Sequence, residues 1–327
     1  MLEIFRRNLF INSVLLLPYI FIVRLSTLIH PVAFNIGKDA NVLQKMIFVN
    51  VANPLIQNII VNILIFLQAL IINHIFIRHK LSKEITLFAG LFYVIFVSLV
   101  KDNNMLSNVL IANTFIILAL NYLLQTYKIP QATAYIFNSG FLIGVASIYY
   151  SPYFAFLLFG VVALLQLRSF KIVEKIQFFT GAITPYFLLF TYRYWYDIPF
   201  VELNFIKDIF FRLPVLKTDS LLVFYVSVII LFLILIFSLI NYGSFTAKKI
   251  IQTQKKIDII YWHLLFCLIS YFIFSSENVS HMVTLATPLS ILFGISVSDT
   301  KHKVLYELLH ILLISLIFIS GFNLINF

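Results

Sequence analysis

Residues 54–77 read PLIQNIIVNILIFLQALIINHIFI, an unbroken run without a single Asp, Glu, Lys or Arg. At about 1.5 Å of rise per residue, a helix over this run spans about 36 Å, more than the roughly 30 Å hydrocarbon core of a bilayer. The run is therefore read as a membrane-spanning helix. Ten further apolar segments of similar kind lie on either side of it, at approximately 9–28, 84–100, 105–125, 132–149, 152–168, 176–194, 219–242, 259–275, 282–298 and 304–325. The third, sixth and tenth of the eleven are short. A chain of 327 residues that is 61% hydrophobic and 11% charged has too little polar surface to coat a water-soluble globule. The expected fold class is an all-α integral membrane protein of about eleven transmembrane helices, forming one polytopic domain over residues 1–327.

Charge placement sets an expected orientation. The net charge of +10 is gathered in short basic clusters between apolar runs, where it sets topology, and no nucleic-acid partner is expected. With a cytoplasmic N-terminus, fifteen of the 23 Lys and Arg residues fall inside, and the two sides carry +9 and +1. Removing one helix inverts everything downstream and destroys that asymmetry. Arg6 and Arg7 precede the first apolar run without a small-residue cleavage site after it, so an uncleaved signal anchor is expected. An odd number of spans then puts the C-terminus outside. The single cysteine, Cys267, lies inside an apolar run and supports neither a disulfide framework nor a cysteine metal site.

The two longest outer connections, 29–53 and 195–218, are too short for a domain. Apolar residues alternate there with polar ones, as in Val42, Leu43, Met46 and Ile47 beside Gln44 and Lys45, which suits short helices lying in the interface. Tyr149, Tyr150, Tyr192, Tyr194 and Trp195 fit an interfacial aromatic belt.

Polar residues inside spans mark faces that cannot meet lipid. Asn58, Asn62 and Asn73 share one face of the second segment with small Ala69. That face is expected to point inward, either as the wall of a substrate cavity or as a row of interhelical hydrogen bonds. Gly140 and Gly144 form a small-residue face that lets a neighbouring backbone approach closely. At the outer membrane face, Asp39, Lys101, Asp102, Arg193, Glu277 and His281 share one level. A carboxylate such as Asp39 or Asp102 there can act as a general base, and Arg193 and Lys101 can hold a phosphate, unless all are solvated loop charges. Walker, dinucleotide, His-Glu-x-x-His and Gly-x-Ser-x-Gly signatures are absent.

The stretch KDNNMLSNVLIANTFIILALNYLLQTYK from Lys101, with the later FNSG helix followed by Tyr and Pro, resembles a family of uncharacterised bacterial inner-membrane proteins. The helix order, the loop acid Asp39 and HMVTLATPLSILFGI from His281 to Ile295 are also similar to the GT-C superfamily of polyprenyl-phosphate-sugar glycosyltransferases. Many GT-C members carry an adjacent acid pair where this loop has one acid, and a periplasmic domain that is missing here. The resemblance implies a bacterial inner-membrane location, with Asp39 and then Asp102 as catalytic acids and Arg193 as a phosphate clamp; Lys101, Glu277 and His281 at the outer face and Asn58 and Asn62 on the inward face are the other substrate-site candidates, from their placement. It further implies a polyprenyl-phosphate-linked sugar as substrate, membrane lipid as surroundings, and a divalent cation bridging acid and phosphate. Two other classes stay open: a non-catalytic subunit with protein partners in an envelope assembly, and a lipid or solute transporter. The first predicts small-residue faces or a lateral groove left unfilled; the second predicts a continuous polar path along the asparagine face.

Overall fold

The computed structural model describes residues 2–31, 53–100, 106–168, 171–197, 221–247, 249–273, 282–299 and 303–322. Among the described residues every regular element is helical. In chain order these are α1 (Leu2–Phe5), α2 (Phe10–Val23), α3 (Leu25–Ile29), α4 (Pro54–Arg78), α5 (Phe88–Ser98), α6 (Asn108–Gln125) and α7 (Thr133–Tyr149). After a single 3₁₀ turn at Ser151–Ala155 come α8 (Phe156–Leu167), α9 (Ile172–Trp195), α10 (Leu221–Ile240), α11 (Tyr242–Thr246), α12 (Ile251–Ile273), α13 (Met282–Asp299) and α14 (Lys303–Gly321). By length and composition α4, α6, α13 and α14 are long and apolar enough to cross a membrane, and α2, α5, α7, α8 and much of α10 are shorter apolar helices. This is the make-up of an all-α membrane protein. The interfacial helices expected in 29–53 and 195–218 fall almost entirely outside the described residues.

The helix ends follow from local chemistry. Asn53 caps α4 by accepting from the Leu55 amide at 2.9 Å, and Pro54 occupies the first turn, where its missing N–H is no loss. Ser107 caps α6 in the same way through the Leu110 amide at 3.2 Å. At the other end of α4, Lys80 takes a left-handed φ of 52°, and the Leu81 amide reaches back to the Phe76 carbonyl at 3.2 Å. A lysine thus fills the position that glycine usually takes, and its charge complements the helix C-terminus.

At the centre stand α5 and α13. Every residue of α5 is buried, as is nearly all of α13. Their seam is tight because Gly294 lets the Ala89 backbone approach: a Cβ there would meet Ala89 Cα at 3.1 Å. Phe92 and Phe293 cross edge-to-face at 4.7 Å beside it. Lipid tails are as apolar as leucine, so seams of this kind hold the bundle through dispersion and interhelical hydrogen bonds. The expected span 84–100 is realised as the shorter α5, because residues 79–87 form an irregular turn instead of helix. Non-helical backbone is tolerated there since protein groups satisfy it: Lys249 donates to the Leu81 carbonyl at 2.6 Å, and the Lys83 amide donates to Asp299 at 3.1 Å.

The small face of α7 is filled by α9. A Cβ on Gly140 would collide with the Phe178 carbonyl, one on Gly144 with the Ala182 carbonyl, and one on Gly181 with the Phe137 carbonyl. The chain therefore closes this face itself.

Side-chain contacts collect the basic loops at one end of the bundle. Arg6 pairs with Glu84 at 2.8 Å, and Lys249 pairs with Asp299 at 3.1 Å. Arg168 grips Glu174 through two bonds of 2.8 and 2.7 Å and donates to the Thr126 and Ile129 carbonyls at 2.7 and 2.5 Å. Lys255 donates to the Gln166 carbonyl at 3.2 Å, and Lys256 reaches His79 at 2.9 Å. The N-terminal segment and the connections after α4, α6, α8, α11 and α13 thus meet at this basic end.

Candidate functional site

The middle of the bundle contains a buried polar core, with Gln68 toward the basic side and Asn113 and Thr287 toward the distal side. Its centre is Tyr93 on α5, fully buried, whose hydroxyl donates to Gln68 Oε1 on α4. Both protons of the Gln68 amide are used on α6, at the Leu110 carbonyl (2.8 Å) and Thr114 Oγ1 (2.6 Å). Asn113, also on α6, donates to the Tyr93 hydroxyl at 3.1 Å and approaches Thr287 of α13 at 3.4 Å. Four helices are therefore joined by uncharged hydrogen bonds, each worth about 0.6 kcal/mol on average in a membrane and up to about 1.7. Asn113 lies five residues into α6, about 8 Å from its distal end.

Further groups adjoin this centre. Arg24, between α2 and α3, is 1% exposed and lies within electrostatic reach of Tyr93. Tyr153, in the turn before α8, is wholly buried within reach of Tyr93 and Cys267, and its hydroxyl has no hydrogen-bond partner. One α4 face projects inward as expected, with Asn58, Asn62, Ala69 and Asn73 all buried. Their roles differ. Asn58 donates to the Pro54 carbonyl of its own helix at 3.0 Å. Asn73 accepts from the Gly90 amide at 2.7 Å, locking α4 to α5. Asn62, 1% exposed, has a partner for neither atom of its amide. Unsatisfied buried polar atoms are uncommon in native proteins and call for an explanation. His263 on α12 is a further case: both ring nitrogens are unpartnered, and Phe156 and Phe159 lie at 5.4 and 5.2 Å.

Among the expected outer-face residues, Arg193 is described. It is 7% exposed near the distal end of α9, and its Nε has no hydrogen-bond partner. Asp39, Lys101, Asp102, Glu277 and His281 lie outside the described residues, and the divalent-cation expectation on Asp39 and Asp102 lies there with them. Among the described residues no group of three or more His, Cys, Asp or Glu is placed to hold a metal.

Gln68, Tyr93, Asn113 and Thr287 did not stand out in the sequence, although each interrupts an apolar run. The rule that singled out Asn58 and Asn62, that a polar residue inside a span must face protein, applies equally to Gln68 and Asn113. Tyr93 was the harder case, because tyrosine is common at membrane interfaces and only its mid-segment position separates it from the belt.

The basic end has its own unusual pair. Lys256 and His79 are both buried, and their contact requires a neutral His79 Nδ1 accepting from the lysine. Burial, then the neighbouring charges of Lys256 and Arg78, pushes His79 down to about 3. Burial likewise lowers Lys256, with Arg78 adding to the effect.

No family model, no curated protein and no solved structure matches this chain.

Proposed function

We propose that this chain is an eleven-span bacterial inner-membrane protein, N-terminus in the cytoplasm, that handles a polyprenyl-phosphate-linked sugar in the outer half of its bundle. The observation that carries the reading is the buried polar core: Gln68, Tyr93, Asn113 and Thr287 around one centre, with the unsatisfied amide of Asn62 and the buried charge of Arg24 beside it. The groups there without a partner, the Asn62 amide, the Asn113 side-chain oxygen and the Tyr153 hydroxyl, match the donors and acceptors of a sugar, and a guanidinium matches a phosphate. The basic end, with the N-terminal segment and five connections, supports the orientation, because cytoplasmic loops carry the excess of Lys and Arg. GT-C-like transfer is the finer form of the proposal, with Asp39 or Asp102 as general base.

The two other classes are less well supported. Of the two signs expected of an assembly subunit, the Gly140 and Gly144 face is filled by α9, whereas a lateral groove is left open along α12. The asparagine row that a transporter would use as a path is interrupted by the internal bonds of Asn58 and Asn73.

The test uses the full chain in liposomes supplied with a radiolabelled polyprenyl-phosphate hexose. Saturable binding that weakens about tenfold in Asn62→Leu supports the reading, a loss equal to one good charge-assisted or paired hydrogen bond. Transfer of label to water or an acceptor, lost in Asp39→Asn while binding persists, supports the enzymatic form. Absence of saturable binding by protein with unchanged helical content contradicts the proposal.

A further inference from the structure

A second polar constellation lies toward the basic end, where a groove of about 640 Å³ opens laterally between α8, α10, α11 and α12. Its volume lies within the usual range for ligand sites, roughly 300–1,000 Å³. One wall is a single stripe of α12, Asp258, Tyr261, Trp262, Leu265 and Leu268, spaced to share one helix face. From Asp258 to Leu268 the stripe runs about 15 Å, which is half of the hydrocarbon thickness and so one leaflet. Its polar end is the end nearer the basic loops, and its leucines lie toward the middle of the bundle.

We infer that this groove holds one aminophospholipid of the adjacent leaflet, with the primary ammonium on Asp258 and the acyl chains along the leucines. The inference goes beyond the sugar reading and rests only on the chain lying in a bilayer. Charge complementarity selects the headgroup. Among the described residues Asp258 is the one charged residue lining the groove, and it forms no ion pair there. Tyr242 donates to its Oδ1 at 2.7 Å, which aims the carboxylate. Gln166 lines the same end, and its side-chain Oε1 is buried without a donor. An ammonium brings three N–H donors, enough for Asp258 and Gln166 together. The rings of Tyr242 and Tyr261 cross at 5.0 Å, and Trp262 stands next to them, so aromatic surface surrounds the place for a cation. Tyr261 is held by its bond to the Ser238 carbonyl at 2.6 Å. The complementary cation is Lys255, one turn before Asp258, with Nζ 3.2 Å from the Gln166 carbonyl. Through that contact with a lining residue it is the cation placed to meet the phosphate of the same headgroup. An anionic phospholipid would meet Asp258 without a cation of its own.

The experiment is native mass spectrometry of the delipidated full chain with equal amounts of phosphatidylethanolamine, phosphatidylglycerol and phosphatidylcholine of identical acyl composition. One phosphatidylethanolamine is expected to be retained in preference to the others. Asp258→Asn is expected to lower its occupancy relative to phosphatidylglycerol about tenfold, the loss of one charge-assisted hydrogen bond. Leu265→Trp, which fills the apolar part, is expected to reduce retention of all three lipids alike. Equal retention of the three by the wild type overturns the inference, as does a preference that Asp258→Asn leaves intact. Equal retention of phosphatidylcholine and phosphatidylethanolamine overturns the primary-amine assignment. Since the groove and the polar core share no residue, failure here leaves sugar binding unaffected, and failure of sugar binding leaves this result unaffected.

Discussion

Replacing Gly140 by alanine adds one carbon where α7 and α9 touch backbone to backbone. The new Cβ would collide with the Phe178 carbonyl and sit 3.1 Å from the Ala182 nitrogen, against 3.4–4 Å for ordinary contact. The opposing atoms are main chain, so no side chain can swing away, and the two helices must separate by about 1 Å. A gap of that size forfeits a quarter to a half of each dispersion contact along the seam. Gly140→Ala is therefore expected to cost about 1–3 kcal/mol, the usual range for overpacking. Gly181→Ala acts on the same seam from the other side, through the Phe137 carbonyl. One separation relieves both clashes, so the double variant should cost clearly less than the sum of the singles. Gly243→Ala is the control: nothing lies within 4 Å of its Cβ, and α11 should gain up to about 1 kcal/mol of helix propensity. The assay is reversible unfolding in bicelles followed by circular dichroism. Equal stabilities of Gly140→Ala and Gly243→Ala, or strictly additive losses at Gly140 and Gly181, would refute the argument.

Three further outcomes follow from the basic end and the polar core. Arg168→Lys keeps the charge but loses the two-pronged grip on Glu174 and the ties to Thr126 and Ile129. It should destabilise by about 1.5–3 kcal/mol in the same assay, nearly as much as Arg168→Ala. His79 is held down at about 3 in the folded chain against about 6.5 when unfolded. The unfolded state then binds the extra proton, so this histidine's stabilising contribution is present above about pH 6.5 and is lost as pH falls toward 3. The loss is about 1.4 kcal/mol per pH unit, and His79→Gln should flatten that limb of a pH–stability curve by one proton. Tyr93→Phe removes the group that both Gln68 and Asn113 bond and should cost about 1–2 kcal/mol, whereas Tyr122→Phe on α6, which keeps its ring contact with Tyr135 at 6.1 Å, should be nearly neutral.

Some of this architecture is legible in the sequence because it depends on one segment at a time. The apolar runs, the inward asparagine face of α4 and the small face of α7 all follow from spacing along a single helix. Pairings between helices do not. Asn113 and Thr287 meet across 174 positions of sequence, and nothing in either segment names the other. The partner of the Gly140 face was equally hidden, because Gly181 and Ala182 lie on a helix whose remaining faces are apolar and exposed. Residues 84–87 of the irregular turn before α5 read as part of a span from hydropathy alone, because the groups that satisfy the turn's backbone, Lys249 and Asp299, are distant in sequence. The polar core is hidden for a different reason: its centre is uncharged and lies within the helices, where Gln68, Tyr93 and Asn113 each stand in an apolar run of a separate helix.

The measurement that tests the account most directly is the sidedness of the connections. With the single, buried Cys267 replaced by serine, new cysteines are labelled in sealed vesicles of known orientation by a membrane-impermeant maleimide. Lys80→Cys, Lys128→Cys, Lys171→Cys and Ile250→Cys should all react from the cytoplasmic side, and Asn53→Cys, Tyr150→Cys and Asp197→Cys from the other. Labelling of Lys128→Cys and Lys171→Cys from opposite sides would contradict the alternation of spans. It would also remove the single basic end on which the orientation of both proposed sites depends.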